Sequence, residues 1–278
     1  MDQLVQAIVL GIVQGLTEFL PVSSSGHLIV VPALLNWDDP FIESLAFSVM
    51  LHVATLLALL IYFRADWLRL IPAGLAAIRD RSFRDDPDRR LAWLLAASTV
   101  PAVIVGIAFN DLIETAFREP RLVAITLVIG AAILWVADRL GSRQREMSSL
   151  TFPLAVGIGA AQALALVPGV SRSGISISAG LFAGLNRESA ARYAFLMATP
   201  ITAGAGIWEI RKILTGEAGV DLPMVPLLAG MAASLIAGLL AIAVTLRFLR
   251  SNGVGVFVAY RIALAVLVVV AWLGLWDR

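Results

Sequence analysis

The chain has 278 residues, of which 59% are hydrophobic and only 15% are charged. An average soluble domain is nearer to about 25% charged, so this composition indicates an integral membrane protein. The net charge of +1 gives a nucleic-acid partner no electrostatic support. The absence of cysteine excludes disulfide bonds, thiolate chemistry and cysteine metal sites.

The first polar cluster lies at residues 14–27, QGLTEFLPVSSSGH, inside a strongly apolar region. Gln14 and Glu18 are four residues apart, which places them on one face of a predicted helix. Pro21 ends that helix, and a turn rich in serine follows. A second helix beginning near Gly26 would aim its N–H groups into the turn, which favours anion binding. Because polar groups are costly in a bilayer, the cluster indicates a functional site.

A second motif, QALALVPGVSRSG at residues 162–174, repeats the first at an offset of 148 residues. The offset holds over about 50 residues without a gap, which indicates an internal duplication. The differences between the copies are Glu18 to Leu166, Ser24 to Arg172 and His27 to Ile175. One copy therefore carries the acid, the base and the hydroxyl, and the other carries the cation. We expect the two motifs to face each other.

Six apolar segments are predicted to cross the membrane, since a span needs about 20 mostly apolar residues. They lie near residues 45–63, 91–109, 123–137, 188–210, 224–246 and 254–276. Two further segments, 4–35 and 152–185, are interrupted by the polar motifs and are predicted to be re-entrant hairpins. The predicted fold is thus an all-α integral membrane protein. It has two inverted repeats, residues 1–141 and 150–278, each a re-entrant helical hairpin plus three transmembrane helices.

The distribution of arginine predicts the orientation. Fourteen of the 21 basic residues fall on one side of this topology, which the positive-inside rule places in the cytoplasm, with both termini outside. The other side carries Arg118, Arg121, Arg211, Lys212 and Arg278. The loop at residues 64–90 mixes both signs of charge and is predicted to be solvated, with an interfacial helix near residues 67–78.

Four residues are candidates for catalysis. Glu18 is a candidate general base or metal ligand, and His27 a candidate proton carrier. Arg172 presents a planar fork that fits phosphate oxygens. Ser24 could act as a nucleophile with His27 as its base. Attack by a water molecule held by Glu18 or by a metal is the competing route, and the sequence leaves both open.

The other polar groups near the turns are expected to donate hydrogen bonds to phosphate oxygens. They are Thr17, Ser23, Ser25, Gly26, Ser171, Ser173 and Gly174. Donors and a cation around an anion, together with an acid/base pair, are typical of phosphoryl transfer. Glu18 and Gln14 offer oxygen ligands, so we expect a hard divalent cation, Mg²⁺ or Ca²⁺, as cofactor.

Three features outside the motifs receive structural interpretations. His52 stands alone in an apolar helix and is predicted to be a satisfied buried histidine. Arg261 lies within the last span and is predicted to reach the cytoplasmic interface or to pair with a buried acid. The small residues of segment 230–238 would permit close helix packing, and a homodimer is one expected partner state.

A transporter is the alternative interpretation. Inverted repeats with broken helices near the midplane are also the architecture of secondary transporters. A transporter or flippase for a lipid phosphate or another anion would use Arg172 and the serines for binding alone, with Glu18 and His27 coupling protons. Turnover distinguishes the two, because a carrier leaves its ligand chemically unchanged.

The motifs EFLPVSSSGH at residues 18–27 and PGVSRSG at residues 168–174 resemble those of the undecaprenyl-pyrophosphate phosphatase family, also known as bacitracin-resistance proteins. The resemblance extends over essentially the whole chain and includes the Tyr260-Arg261 pair. It implies a multi-pass phosphatase of the bacterial plasma membrane whose site opens to the outside. The implied reaction converts undecaprenyl pyrophosphate to undecaprenyl phosphate and inorganic phosphate. This reaction recycles the lipid carrier of peptidoglycan synthesis and protects against bacitracin.

Overall fold

A computed structural model describes residues 2–83, 86–109, 119–217 and 221–275 of the chain, and these residues form helices and no β-strand. The described α-helices are α1 Gln3–Phe19, α2 Ser24–Leu35, α3 Leu45–Tyr62, α4 Arg64–Asp80, α5 Pro87–Ala108, α6 Pro120–Leu140, α7 Phe152–Ala163, α8 Arg172–Phe182, α9 Arg187–Leu214, α10 Met224–Ser251 and α11 Gly255–Leu275. Short 3₁₀ turns lie at Met147–Ser149 and Leu164–Leu166.

Helices α3, α5, α6, α10 and α11 are long and apolar enough to cross a membrane, which confirms the prediction of an all-α integral membrane protein. The predicted span near residues 188–210 lies within α9, a helix of 28 residues. Helix α9 is not among the five, and it carries charged residues at both of its ends.

The two interrupted segments form pairs of shorter helices. Helices α2 and α8 have 12 and 11 residues, so each is about 16–18 Å long. A hydrocarbon core of about 30 Å is too thick for either helix to cross alone. This length supports the hairpin interpretation, while the inverted relation of the two repeats and their boundaries stay predictions.

The first helix of each hairpin packs against a span from the other half of the chain. Helix α1 lies along α10, and α7 lies along α5. Both contacts are so close that a side chain at the crossing is excluded. A Cβ on Gly11 would overlap the carbonyl oxygen of Gly230, and a Cβ on Gly159 would overlap that of Ser98. The two halves of the chain are therefore in close backbone contact at these helix crossings.

The small-residue face at 230–238 is covered within the chain. Gly230 lies against Ala7 of α1, and Gly238 lies against Ala58 of α3 and Phe19 of α1. The face therefore supports close helix packing, as predicted, but within the chain itself. It is not a free surface for a second copy.

Helix α4 corresponds to the interfacial helix that the sequence predicts. It buries Leu70 and Ala77 and exposes an apolar face made of Leu68, Ile71, Leu75 and Ile78. An amphipathic helix of this kind is suited to the boundary between lipid and water. Three arginines that enter the comparison of charge between the two sides, Arg84, Arg118 and Arg278, lie outside the described residues.

Replacing Gly159 by alanine tests the close approach of α7 and α5. We expect Gly159→Ala to lower the thermal unfolding midpoint of the protein in detergent, because the new methyl group requires the two backbones to separate. The cost is about 1–3 kcal/mol, as for other overpacked interiors. Gly157→Ala on the same helix is the control, since nothing lies within 4 Å of a Cβ there. Equal midpoints for the two variants would contradict the proposed contact.

Candidate active site

The two hairpin turns have the same local geometry. Ser23 and Ser171 have φ angles of 75° and 74°, a left-handed conformation that is uncommon for residues other than glycine. Each serine caps the helix that follows it. The Ser23 hydroxyl accepts a hydrogen bond from the Gly26 N–H at 3.3 Å, and the Ser171 hydroxyl accepts one from the Gly174 N–H at 3.1 Å. Strained backbone of this kind persists only where the surrounding structure holds it.

The guanidinium of Arg261 holds both turns. Its Nη2 donates to the carbonyls of Gly169 at 2.8 Å and Val170 at 3.0 Å, and its Nη1 donates to that of Pro21 at 3.4 Å. Its Nε donates to the carbonyl of Leu127 at 3.1 Å. The side chain is 0% exposed. The prediction that Arg261 reaches the interface or pairs with an acid is wrong, because its hydrogen bonds go to backbone carbonyls of the two turns and of α6.

Glu18 brings the two motifs into contact. Its Oε1 accepts a hydrogen bond from Nη2 of Arg172, which belongs to the other hairpin. Its Oε2 accepts from the Ser24 hydroxyl at 2.5 Å and from the Gln14 amide at 3.0 Å. Arg172 also donates to Thr202 of α9. The carboxylate and the guanidinium are thereby positioned by α1, α8 and α9 together.

His52 is a neighbour of this cluster that the sequence analysis missed. Its Nε2 lies 3.5 Å from Oε2 of Glu18. Its Nδ1 lies 2.8 Å from the carbonyl of Ser48, and a carbonyl can only accept, so Nδ1 carries a proton. The Nε2 side of the ring therefore faces the carboxylate. A histidine in an apolar span was the available signal, but its spacing in the sequence does not show which acid it meets.

His27 and Ser24 do not form the pair that one predicted route requires. Nδ1 of His27 donates to the carbonyl of Ser23 at 2.6 Å, and its Nε2 lies 2.7 Å from the hydroxyl of Tyr260. Both ring nitrogens are thus engaged away from Ser24, whose hydroxyl donates to Glu18. The reason is the direction of α2, which turns the imidazole toward α11 and the serine toward α1.

Several predicted phosphate ligands are bonded within the protein. The Thr17 hydroxyl donates to the carbonyl of Val13 at 2.6 Å, and the Ser173 hydroxyl donates to that of Leu20 at 3.1 Å. The N–H groups of Gly26 and Gly174 are held by the capping serines. Their proposed roles in phosphate binding stay predictions.

A cavity of about 540 Å³ lies beside Glu18 and Arg172. Its lining includes the polar side chains of Ser24, Ser25, His52, Ser171 and Thr202 and the apolar side chains of Leu28, Ile29, Pro32, Phe47 and Ile201. A volume of this size accommodates a small organic ligand. A lining with both polar and apolar residues suits an amphiphilic molecule with an anionic head.

The side-chain oxygen atoms at Glu18 and Gln14 are ligands of the kind that a hard divalent cation prefers. Oε1 of Gln14 is buried and has no hydrogen-bond partner among the residues that the structure describes, and the Glu18 carboxylate lies within one helical turn of it. No group of three His, Cys, Asp or Glu side chains that could hold a metal occurs in the part of the chain that the structure describes. Oxygen atoms of a bound phosphate would therefore have to complete the ligand set.

Replacing Arg261 by leucine tests whether it holds the turns. We expect Arg261→Leu to destabilise the protein by about 3 kcal/mol or more, because each buried carbonyl left without a donor costs about 1–3 kcal/mol. Thermal unfolding in detergent measures the change. Arg247→Leu, at an exposed position of α10, is the control and should change the free energy of unfolding by no more than about 0.5 kcal/mol. A small effect at Arg261 would contradict the role.

Comparison with known proteins agrees with the motifs. The sequence model of the family described as bacitracin resistance protein BacA matches residues 7–267. An undecaprenyl-diphosphatase of Gemmatimonas aurantiaca is 47% identical over 263 residues, covering 95% of this chain and 96% of the relative. Undecaprenyl-diphosphatases of Moorella thermoacetica and Rubrobacter xylanophilus are 43% and 44% identical over 269 residues, each covering 96% of this chain and 98% of the relative. The chain therefore belongs to the bacitracin resistance protein BacA family.

Proposed function

We propose that this protein is an integral membrane phosphatase that hydrolyses undecaprenyl pyrophosphate to undecaprenyl phosphate and inorganic phosphate. The observation that carries the proposal is the contact between Glu18 and Arg172 in a cavity lined by polar and apolar residues. The relatives that cover nearly the whole chain are named undecaprenyl-diphosphatases. The reaction recycles the lipid carrier of peptidoglycan synthesis and gives resistance to bacitracin.

Arg172 is the group that binds the terminal phosphate. A guanidinium exchanges a carboxylate for a phosphate readily, since both accept two parallel hydrogen bonds. When Arg172 turns from Glu18 to the substrate, one carboxylate oxygen is freed to accept a proton. Substrate binding thereby activates Glu18 at the moment when a base is needed.

The hydrogen bond that the Ser24 hydroxyl donates to Glu18 supports Ser24 as the nucleophile. The serine oxygen forms a bond to the terminal phosphorus, and its proton passes to Glu18. The bond between that phosphorus and the bridging oxygen breaks, and undecaprenyl phosphate leaves. Water then hydrolyses the phosphoserine and releases inorganic phosphate. In the competing route, water activated by Glu18 attacks the phosphorus directly.

A divalent cation, Mg²⁺ or Ca²⁺, is the proposed cofactor. Glu18 and Gln14 would hold it, and it would neutralise charge on the two phosphates. The orphaned Oε1 of Gln14 supports this assignment. His27, with both ring nitrogens engaged, is then assigned to positioning α2 against Tyr260, and any direct catalytic role for it stays a prediction.

The cavity is proposed to open toward the outside of the bacterial plasma membrane. Its lining includes Glu43 and Ser44 beside the first turn of α3, whereas the arginine-rich loop at residues 64–90 follows the last turn of the same helix. The positive-inside rule places that loop in the cytoplasm. A homodimer would have to use a surface other than the covered face at 230–238.

The first test is the release of phosphate from undecaprenyl pyrophosphate by the purified protein in detergent, with Mg²⁺, with Ca²⁺ and with a chelator. We expect cation-dependent release that falls at least about 100-fold in Glu18→Ala and in Arg172→Ala, as when charge-stabilising groups are removed from other enzymes.

An ion pair outside the cavity provides the control positions. Arg250 and Glu188 lie 2.6 Å apart near the ends of α10 and α9, and alanine at either position should leave the rate unchanged. If the folded wild-type protein binds the lipid but releases it chemically unchanged with every cation, the phosphatase proposal is wrong and the carrier interpretation takes its place.

Replacing Ser24 by alanine separates the two routes. If Ser24 is the nucleophile, Ser24→Ala lowers kcat by about 1,000-fold or more, and acid-quenched wild-type protein carries covalent phosphate from a substrate labelled on its terminal phosphorus. Ser25→Ala is the adjacent control. It loses at most one hydrogen bond to the substrate, so its kcat should fall by only about 10-fold. Substantial turnover by Ser24→Ala would assign the attack to water.

A further inference from the structure

Within the described part of the chain, the side chain of Gln162 is buried in the wall of the cavity without a hydrogen-bond partner. It is 2% exposed, and neither its amide nitrogen nor its amide oxygen has a partner among the described residues. It lines the same cavity as Glu18 and Arg172. Since a buried amide that lacks partners costs stability, its presence at this wall indicates a ligand that supplies them.

The internal duplication explains why this amide is free. Gln162 is the repeat counterpart of Gln14, and each lies near the end of the first helix of its hairpin. The amide of Gln14 donates to Glu18 four residues later. The residue four positions after Gln162 is Leu166, whose side chain cannot accept a hydrogen bond. Gln14 therefore orients the carboxylate of Glu18, whereas the amide of Gln162 is available to a ligand in the cavity.

We propose that Gln162 binds the pyrophosphate group of the substrate, with its Nε2 donating to a phosphate oxygen. An amide suits this place, because it donates to an anion without forming a salt bridge to Glu18, as a lysine or arginine would. A glutamate of the same size would repel the phosphates. The assignment rests on the proposed function for the identity of the lipid, whereas the recognition of two linked phosphates can be tested without turnover.

The test compares Gln162→Leu with Thr245→Val. Leucine removes both unpartnered groups at a similar size. Thr245→Val is the matched control. The Thr245 hydroxyl of α10 is also buried without a partner in the described part of the chain, and Thr245 is not among the cavity residues. Removing such groups should raise the unfolding midpoint of each ligand-free variant by about 2–4 °C.

Binding then separates the two variants. Titration calorimetry with methylenediphosphonate, a pyrophosphate analogue that is not hydrolysed, is expected to show affinity about 10- to 100-fold weaker for Gln162→Leu and unchanged for Thr245→Val. The KM for the lipid should rise by a similar factor in Gln162→Leu. Gln162→Glu, which keeps the size and adds a negative charge, should bind the analogue more weakly still, and it supplies the test if the leucine variant does not fold.

The outcomes distinguish the two proposals. Wild-type affinity for the analogue in both Gln162 variants would overturn the inference, whether or not the protein hydrolyses the lipid. A wild-type protein that binds the analogue through Gln162 but releases no phosphate would retain the inference and overturn the proposed function. Lower stability of Gln162→Leu with unchanged affinity would assign the glutamine a purely structural role.

Discussion

The structure depends on how two non-helical turns are tolerated within a membrane protein. Each turn releases carbonyl groups that a bilayer cannot hydrate, so a donor from the protein has to satisfy them. The guanidinium of Arg261 does this for both turns at once, through Pro21 of the first and through Gly169 and Val170 of the second. One buried cation thus joins the turns to each other and to the carbonyl of Leu127 in α6.

The chemistry follows from this junction. With the turns held together, Glu18 of the first hairpin and Arg172 of the second come into contact, and Ser24 lies against the carboxylate. The glycine crossings at Gly11 and Gly159 let each hairpin approach a span of the other half. Acid, hydroxyl and cation are therefore held by separate elements whose relative positions are set by backbone packing. Such preorganisation is the main contribution that a protein makes to phosphoryl transfer.

The duplication produces two turns of the same shape but different chemistry. Ser23 and Ser171 take up nearly the same strained φ, while Glu18 is matched by Leu166 and Ser24 by Arg172. Differences at a few side chains therefore give two similar turns different chemistry. Gln162 likewise lacks the partner that Gln14 has, and it lies in the wall of the cavity.

The sequence by itself determined the membrane class, the interrupted segments and the roles open to Glu18, Ser24 and Arg172, because hydropathy and motif spacing are local properties. It also indicated that the two motifs face each other. Only the tertiary structure decided that His52 meets Glu18, that His27 turns to Tyr260 and that Arg261 binds carbonyls of both turns. These contacts join residues up to 240 positions apart, and the direction in which a helix presents a side chain to another helix depends on packing that no local pattern records.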